Sequence, residues 1–327
     1  MKSKRALITG ITGQDGYHLT EHLLALGYKV YGLSNGQREA SGKKFLQEFP
    51  NVELIKGDLT DLSSLAQALE ASEPDEIYNL GAISFVGMSF KQPEMTANVT
   101  GLGTLRLLDA IRLVGLSKHT RMYQASSSEM FGKVRETPQN EGTPFHPRSP
   151  YGVAKTFAHY SCVNYREAYD MYIACGILFN HEGERRGYEF VTRKISSTVA
   201  RIKLGLSNEL RLGTLSPRRD WGYAGDYVKA MHQMLQAETA DDFVIATGET
   251  HSVEDFVNQA FQIVGIEDGI EKYVKIDQEF KRPSEVDILI GDRSKAEQIL
   301  GWKPTVGFNE LVKRMVENDL RIESGKR

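Results

Sequence analysis

The fold is decided by the stretch Arg5-Ala6-Leu7-Ile8-Thr9-Gly10-Ile11-Thr12-Gly13-Gln14-Asp15-Gly16. Its apolar start predicts a strand over Arg5–Thr9, and glycines follow at positions 10, 13 and 16. Glycine permits a tight turn and a close backbone approach to a pyrophosphate. The apolar spacing of Tyr17–Leu26 predicts a helix directly after the loop, and a helix N-terminus offers free N–H groups and a partial positive charge. This strand, glycine loop and helix together predict a dinucleotide site.

Short apolar runs and helical patterns alternate through the rest of the first half. The predicted strands are Lys29–Leu33, Val52–Gly57, Glu76–Leu80, Arg121–Ala125 and Tyr172–Leu178, and the predicted helices are Leu62–Ala71 and Thr100–Val114. Such alternation is typical of an α/β fold, a doubly wound parallel (Rossmann) sheet with right-handed crossovers.

After about Tyr172 the pattern changes to a polar, arginine-rich stretch, Asn180–Lys194. Later segments predict a returning strand and three helices, at Phe243–Ala246, Ile195–Leu204, Ser252–Val264 and Asn309–Asp319. We therefore predict a dinucleotide-binding domain over residues 1–178, to which residues 213–248 or thereabouts return. Residues 179–327 would form mainly a smaller α/β substrate-binding lobe over the carboxyl edge of the sheet.

Composition excludes several classes of protein. The 327 residues carry a net charge of −3 with scattered lysines and arginines, which argues against a nucleic-acid partner. Cys162 and Cys175 have neither zinc spacing nor a disulfide framework. No apolar run reaches the roughly 18 residues of a membrane span. We expect a cytoplasmic protein without a membrane partner.

Two segments carry the chemistry: Ser126-Ser127-Ser128-Glu129, after a predicted strand, and Tyr151-Gly152-Val153-Ala154-Lys155. A tyrosine four residues before a lysine lies on the same helix face. We expect the charge of Lys155 to lower the pKa of the Tyr151 phenol, so that Tyr151 takes a proton from a sugar hydroxyl. Glu129 stands at the carboxyl end of a central strand, where ligands bind in such sheets. A second base there predicts removal of a proton beside the new carbonyl, although an isolated glutamate would more often be a surface residue or a cap.

The choice of cofactor depends on the ends of the second and third strands. The second strand runs into Ser34-Asn35-Gly36-Gln37-Arg38 without an acidic residue, and Arg38 could pair with the 2′-phosphate of NADP or be a solvated loop residue. Asp58-Leu59 would lie beside the adenine, or cap the helix ahead of Leu62. We expect NADP, with NAD as the alternative.

Longer motifs resemble the extended short-chain dehydrogenase/reductases and, among them, the GDP-mannose 4,6-dehydratase family. The resemblance covers nearly the whole chain, and the Asn-His-Glu and Thr-Arg-Lys segments are more specific than the Tyr-Lys pair. The matching segments are Gly10–Gly16, Tyr123–Gly132, Pro147–Lys155, Asn164–Glu167, Gly176–Glu182, Phe190–Lys194, Arg219–Gly222, Arg282–Asp287 and Leu300–Pro304.

The resemblance implies a role for each matching residue. Ser127, in the place of the family's usual threonine, would act with Glu129 as the general base, Tyr151 as the O4 base and Lys155 as its partner. The implied cofactor-binding residues are Gly10, Thr12, Gly13, Gln14, Asp15, Gly16, Arg38, Asp58, Leu59, Leu80, Gly81, Ala82, Ser84, Tyr151, Lys155, His181 and Arg186. The implied substrate-binding residues are Ser84, Glu129, Asn180, Val191, Lys194, Arg219, Arg282 and Glu285.

The expected reaction is that of a hydro-lyase which converts GDP-mannose to GDP-4-keto-6-deoxymannose by internal hydride transfer and loss of water. No metal is expected. The family forms homo-oligomers, so a homodimer or homotetramer is expected, with helices at 100–114 and 151–170 as the dimer face.

Three departures from the family pattern leave alternatives open: Ile83 in Gly81-Ala82-Ile83-Ser84, Gly183-Glu184, and Asn35-Gly36-Gln37-Arg38. A GDP-manno-heptose 4,6-dehydratase with the same mechanism is one alternative. A GDP-sugar 4-reductase or epimerase is a second, which would not need Glu129. A cofactor-sensing binding protein is a third, which would have lost Tyr151, Lys155 or Glu129.

Overall fold

A computed structural model describes residues 3–36, 39–280, 284, 286 and 288–325. Arg38, Arg282 and Glu285, three of the expected ligand contacts, lie outside these described residues. Within them, no helix has the length and apolar character needed to cross a membrane.

Seven parallel strands form the central sheet. The strands of the described residues are β1 (Arg5–Thr9), β2 (Lys29–Ser34), β3 (Glu53–Lys56), β4 (Glu76–Asn79), β5 (Arg121–Ser127), β6 (Ile173–Leu178), β7 (Asn180–Glu182), β8 (Leu210–Leu212), β9 (Arg218–Arg219), β10 (Trp221–Tyr223), β11 (Asp242–Ile245), β12 (His251–Ser252) and β13 (Val274–Ile276). The order in the sheet is β11-β6-β5-β4-β1-β2-β3. Because the strand order reverses between β1 and β4, a crevice opens at their carboxyl ends, as the doubly wound prediction requires.

Helices cover both faces of this sheet. The α-helices of the described residues are α1 (Gln14–Ala25), α2 (Glu39–Glu48), α3 (Leu62–Ser72), α4 (Val86–Lys91), α5 (Pro93–Thr96), α6 (Gly103–Leu113), α7 (Pro150–Tyr169), α8 (Val191–Lys203), α9 (Ala224–Met234), α10 (Val253–Ile263), α11 (Gly269–Tyr273), α12 (Ser294–Leu300) and α13 (Phe308–Glu323). Successive strand residues point to opposite faces. Ile8 therefore packs in the apolar cluster of α1 and α9, whereas Leu7 packs in that of α3 and α6.

A third apolar cluster belongs to the second half of the chain, where α8, α10 and α13 pack together through residues such as Val199, Phe256 and Met315. The described part of this half also contains three two-stranded ladders, β10–β7, β12–β9 and β13–β8. The chain also returns to the sheet through β11, which pairs in parallel with β6, as the predicted strand at Phe243–Ala246 anticipated. The division into two domains stays a prediction.

Three of the predicted helices begin at least three residues earlier than the sequence indicated, while other boundaries differ less at their starts. Helix α1 begins at Gln14, inside the predicted loop, because the helix starts as soon as Gly13 has made the turn. Helix α8 begins at Val191 rather than at Ile195, since the polar residues of its first turn masked the helical pattern. The predicted helix at 100–114 is a π-helix, Ala97–Leu102, that runs directly into α6.

Candidate active site

The glycine loop is shaped by contacts that no larger residue would allow. Gly10 has a φ of +67°, and a Cβ there would lie 2.9 Å from the backbone nitrogen of Gly81. A Cβ on Gly16 would lie 2.2 Å from the carbonyl oxygen of Ile11. Helix α1 starts after Gly13 without a side-chain cap. Its first N–H groups are thus available to an anionic ligand.

A cavity of about 660 Å³ lies at the carboxyl ends of β1, β4, β5 and β6. Most of the residues named from sequence line it: Gly10, Gly13, Gln14, Asp15, Gly16, Leu80, Ala82, Ser84, Ser127, Glu129, Tyr151, Lys155, Asn180, His181, Arg186, Val191, Lys194 and Arg219. Four of the expected cofactor-binding residues that the structure describes do not line the cavity: Thr12, Asp58, Leu59 and Gly81. The structure therefore brings distant parts of the chain to one cavity.

Asp58 and Leu59 support the glycine loop from outside the cavity. Asp58 accepts a hydrogen bond from the Asn35 side chain at 3.2 Å, which joins the ends of β2 and β3. It also accepts one from the Thr60 backbone at 2.8 Å. Leu59 is buried, and its side chain fills the space beside Gly81 and Gly103. Leu59 thus packs behind Gly81, against which Gly10 of the loop rests, whereas Asp58 links the ends of β2 and β3.

Glu129 is placed by a turn at the end of β5. A 3₁₀ turn over Ser128–Met130 follows the strand, and the backbone N–H of Glu129 donates to the Ser127 hydroxyl at 3.2 Å. Glu129 is only 9% exposed. Helix α7 approaches it closely, since a Cβ on Gly152 would lie 2.7 Å from the Glu129 carbonyl oxygen. The carboxyl group is therefore a buried acid–base group in the cavity wall.

Tyr151 and Lys155 lie on the first turns of α7. Ser149 caps this helix by accepting a hydrogen bond from Gly152, and Pro150 occupies its first position. The ammonium of Lys155 donates to the Ala125 carbonyl at 2.6 Å and lies 5.8 Å from the centre of the Tyr151 ring. Burial lowers the pKa of Lys155 to about 8, with the charge of Asp15 opposing that fall.

The expected fall in the pKa of Tyr151 is not found. Burial raises the pKa of the phenol to about 12, and the charge of Glu129 contributes to the rise. The hydrogen bond with Ser127 and the charge of Arg186 act in the opposite direction. The sequence prediction was wrong because it considered the charge of Lys155 alone and not the loss of solvent around the ring.

Asp15 and His181 form a pair that joins the glycine loop to β7. The Nε2 atom of His181 lies 2.9 Å from an Asp15 carboxylate oxygen, and its ring stacks on Tyr227 at 4.8 Å. Burial opposes ionisation of Asp15, but the attraction of His181 outweighs it and the pKa of Asp15 lies well below its ordinary value. Burial likewise disfavours charge on His181, yet the carboxylate raises the pKa of the imidazole. Each partner therefore favours the charged form of the other.

The opposite side of the cavity is cationic. Lys194 lies 3.3 Å from the centre of the Phe280 ring, and burial lowers its pKa although Asp277 and Glu279 counteract this. Arg186 lies 3.5 Å from the centre of the Phe190 ring and 2.9 Å from the carboxylate of Glu182. Arg219 is 7% exposed and donates to the Arg218 carbonyl. Cationic side chains of this kind suit a diphosphate.

Aromatic residues of the wall were missed by the sequence predictions. Phe85 and Phe190 meet edge to face at 5.8 Å, and Phe280 covers Lys194 from a remote part of the chain. Phe190 carried a usable signal, because it immediately precedes the Val-Thr-Arg-Lys segment. Phe85 and Phe280 carried none, since isolated phenylalanines are most often core residues.

The departures at Ile83 and at Gly183-Glu184 lie behind the cavity wall, although their neighbours Ser84 and Glu182 line it. The Ile83 backbone N–H donates to Thr100. A Cβ on Gly183 would meet His18 and Tyr223 at 3.5 Å, outside the cavity. These substitutions therefore alter the support of the wall rather than its surface.

Solved structures agree with the fold. The UDP-glucose 4-epimerase of Thermus thermophilus, in complex with NAD, is 27% identical, with a TM-score of 0.82 over 96% of this chain and 98% of that one. RMD from Pseudomonas aeruginosa, complexed with NADPH, is 24% identical, with a TM-score of 0.81 over 98% of this chain and 100% of that one. The second likeness concerns the fold alone.

Sequence relatives are much more similar. GDP-mannose 4,6 dehydratase 2 of Arabidopsis thaliana is 52% identical over 98% of this chain and 87% of its own length. The family profile described as GDP-mannose 4,6 dehydratase matches residues 7–315. Several segments that carried the resemblance in the sequence, among them Gly10–Gly16, Gly176–Glu182 and Phe190–Lys194, also contribute residues to the cavity wall. The chain belongs to the GDP-mannose 4,6 dehydratase family.

Proposed function

We propose that the protein is a hydro-lyase that converts GDP-mannose to GDP-4-keto-6-deoxymannose, with NADP as its cofactor. The observation that carries this proposal is the placement of two acid–base groups, Glu129 and Tyr151, in the wall of one cavity beside Ser127. A dehydrogenase or 4-reductase needs the tyrosine alone, whereas elimination of water needs a second base. Family membership supports the same reaction.

The residues present fit a nicotinamide cofactor. Any Cβ at Gly10 would fill the space beside the glycine loop. The start of α1, which has no side-chain cap, lies at the cavity, and Arg186 supplies a cation there. Gly10–Gly16, Arg186 and Lys155 would hold the cofactor. When bound, it would accept a hydride from C4 of the sugar and return it to C6, so that the reaction has no net redox change.

Tyr151 would take the proton of the C4 hydroxyl. Its base form is stabilised by the hydrogen bond with Ser127 and by the charge of Arg186, which partly offset the effect of burial on the pKa. Lys155, held by the Ala125 carbonyl, would orient the ribose of the cofactor beside the phenol. A positioned base of this kind contributes about 10²–10⁴-fold to the rate.

Glu129 would carry out the step that defines a dehydratase. Once C4 is a ketone, the hydrogen on C5 is acidic, and the Glu129 carboxylate removes it as a proton. The same carboxyl group then protonates the C6 hydroxyl, which leaves as water while the C5–C6 double bond forms. After C6 has been reduced, C5 regains a proton, and the product is a 4-keto-6-deoxy sugar nucleotide.

The cationic side of the cavity would hold the GDP moiety. Lys194 and Arg219 supply charge for the diphosphate, and the side-chain oxygen of Asn180 is buried without a hydrogen-bond partner. An unpaired buried acceptor of this kind suits a donor from the ligand. Val191 and Phe280 add apolar surface to the same side.

Glu129→Gln tests the proposal. The amide cannot remove the C5 proton, so oxidation at C4 should persist while water loss falls by at least about 10²-fold. Glu184→Gln is the control, because this carboxylate is close in sequence to the wall but does not line it. Mass spectrometry of products from GDP-mannose and GDP-manno-heptose, measured side by side, gives the readout. If the Glu129→Gln variant dehydrated GDP-mannose at the normal rate, the proposed role of Glu129 would be refuted. Faster turnover of GDP-manno-heptose than of GDP-mannose would refute the proposed substrate.

The preference for NADP rests on the end of β2, where Ser34-Asn35-Gly36 presents no carboxylate to a ribose 2′-OH. Dissociation constants for NADP and NAD, measured by calorimetry on cofactor-free protein, test it. Tighter binding of NAD would refute the preference and leave the reaction unchanged. The cytoplasmic location stays a prediction.

A homodimer is supported by an exposed apolar face. Val153, Phe157 and Tyr160 recur at helical spacing on α7 and are 45–56% exposed, and Leu113 at the end of α6 is 70% exposed. A patch of this kind on a water-facing helix is typical of an interface. Light scattering on the purified protein distinguishes a monomer, which would refute the proposal, from a dimer or a tetramer.

A further inference from the structure

A buried histidine lies directly behind the candidate catalytic residues. His159 is one helical turn beyond Lys155 on α7 and is 3% exposed. Its Nδ1 atom is 3.0 Å from the Ser126 hydroxyl on β5, and its Nε2 atom is 3.6 Å from an Asp242 carboxylate oxygen on β11. The other oxygen of Asp242 accepts a hydrogen bond from Arg166 at 2.9 Å. Both ring nitrogens are therefore engaged by different strands.

The position of Ser126 makes this contact relevant to the chemistry. The carbonyl of the preceding residue, Ala125, holds the ammonium of Lys155 at 2.6 Å. The hydroxyl of the following residue, Ser127, is hydrogen-bonded to Tyr151. Three consecutive residues at the end of β5 are thus each tied to one residue of α7. The contact between His159 and Ser126 is the middle one of these three contacts.

We propose that His159 is a positioning residue for the dehydratase reaction: by joining Ser126 to α7 and to Asp242, it fixes the end of β5 against α7. It thereby keeps the Ser127 hydroxyl on Tyr151 and the Ala125 carbonyl on Lys155. The inference rests on the proposed function, because it assigns those contacts to the acid–base step.

The surroundings of His159 favour a fixed ring. The titratable or charged groups around it include Asp242 on β11, Arg166 and Tyr160 on the same helix, and the thiols of Cys175 on β6 and Cys162 on α7. Phe145 meets the ring edge to face at 5.2 Å. Burial lowers the pKa of His159, but the hydrogen bond that the ring donates to Cys175 and the charge of Asp242 outweigh it and raise the pKa. The hydrogen bond at Nδ1 and the edge-to-face packing of Phe145 together restrict the ring to one orientation.

The same atoms suggest one competing role. The ligand atoms of His159, Cys175 and Asp242 lie within 4.8 Å of one another, as metal ligands would. Arg166 already neutralises Asp242, and the nearby guanidinium repels a cation, so we favour positioning. Metal content becomes one outcome of the test.

The test compares His159→Ala, His159→Asn and Ser126→Ala with the wild-type enzyme. We expect His159→Ala to lower kcat for GDP-mannose by about 10–10²-fold with KM within about twofold, because a small displacement affects the reacting groups and not the binding cations. The acid limb of the kcat profile should move to higher pH, since the Ser127 hydrogen bond opposes the rise in the pKa of Tyr151. Asparagine reproduces the nitrogen that faces Ser126, so His159→Asn should restore most of kcat. Ser126→Ala removes the same hydrogen bond from the other partner, so it can replace His159→Ala if that variant fails to fold, and we expect it to lower kcat in the same way.

His232→Ala is the matched control. His232 also bonds two partners, His22 at 3.3 Å and Tyr28 at 3.1 Å, but this cluster includes Glu76 at the amino edge of the sheet. We expect it to lower the melting temperature without changing kcat or the pH profile. If His159→Ala changes kcat and the acid limb no more than His232→Ala does, the positioning role is refuted.

A second readout needs no substrate. Competitive acetylation of Lys155 at pH 8, followed by mass spectrometry, should be several-fold faster in His159→Ala than in the wild type, and unchanged in His232→Ala. Equal labelling in all three would overturn the inference even if GDP-mannose proved not to be the substrate. Stoichiometric zinc in the wild type that is lost in His159→Ala would overturn it as well. Failure of wild-type dehydration with faster Lys155 labelling would instead refute only the proposed function.

Discussion

The two sides of the cavity are held in place in different ways. The catalytic side, formed by β5 and α7, is held by short backbone contacts: Gly152 against Glu129 and Lys155 on the Ala125 carbonyl. The binding side, formed by residues 180–194, is held by ion pairs such as Arg186 with Glu182. Close packing therefore positions the candidate catalytic groups, whereas ion pairs position the groups expected to contact the nucleotide.

Arg193 is the centre of the charged side. It is 3% exposed, lies 2.7 Å from the Asp319 carboxylate on α13, and donates to the backbone carbonyls of Glu184 and Arg186. Ser196 donates to the same carboxylate at 2.6 Å. The C-terminal helix therefore fixes the loop that carries Arg186 into the cavity.

The largest expected effect follows from breaking this charged support with Asp319→Asn. Arg193 cannot lose its proton, so a buried guanidinium would remain without its counter-ion, at a cost of about 3–5 kcal/mol in the free energy of unfolding. Cofactor affinity should fall as well, since Arg186 loses its fixed loop. Denaturant unfolding and calorimetric binding of NADP measure the two effects.

Glu323→Gln is the matched control for that change. Glu323 pairs with Arg201 at 3.0 Å and joins the same two helices, α13 and α8, but Arg201 is 46% exposed. An exposed pair contributes about 0–1 kcal/mol. Equal losses from the two substitutions would show that burial of the charge is unimportant and would remove the basis of the comparison.

Lys155 is an exception on the catalytic side of the cavity, because it is a charged group on the side that is otherwise positioned by close backbone contacts. Burial lowers its pKa to about 8 from an ordinary value near 10.5. The charged form is therefore disfavoured in the folded protein, and the resulting cost, about 3 kcal/mol, is fully present below pH 8. It disappears as pH rises towards 10.5, where the unfolded chain also loses the proton.

Lys155→Met should therefore abolish activity yet raise the free energy of unfolding at pH 7 in cofactor-free protein. The gain should shrink at pH 10, as the wild type becomes relatively more stable. Urea unfolding at the two pH values measures this. Lys203→Met, at an exposed position of α8, is the control and should show no such trend. A gain that does not depend on pH would contradict the assignment to desolvation.

The smallest of these effects is expected from Gly152→Ala, which disturbs the close packing of α7 against Glu129 on the catalytic side. The added Cβ would lie 2.7 Å from the Glu129 carbonyl oxygen, so α7 must move away from Glu129. A displacement of about 1 Å at reacting groups costs about 10²-fold in rate, equivalent to about 2.7 kcal/mol. Steady-state kinetics should show the loss in kcat.

Gly42→Ala provides the comparison within a helix. A Cβ at this glycine of α2 meets only Leu54, at an ordinary distance of 3.5 Å. Alanine should leave kcat unchanged and raise stability slightly, because it favours the helix. If both variants kept full activity, the close approach of α7 to Glu129 would have no catalytic importance.

Local patterns predicted the first half of the molecule well. The strands at 5–9, 29–34 and 121–127 have apolar alternation or continuous apolar runs that no other element matches, and the glycine loop follows from its position between strand and helix. Boundaries failed where a local signal was mixed, as at Val191, where charged residues open a helix. The predicted fall in the pKa of Tyr151 was wrong because the burial that raises this pKa is a property of the packed molecule.

The sequence by itself determined the strands of the sheet and the dinucleotide loop, because those depend on neighbours within a few residues. The four candidate catalytic side chains came from short motifs together with the resemblance to a family. Only the tertiary structure decided that Phe280 covers Lys194, that Asp319 restrains the Arg186 loop, and that His159 lies behind Ser126. These contacts join residues more than 30 positions apart, or elements from opposite ends of the chain. Such pairs arise from packing, which brings together distant segments that carry no local signal of one another.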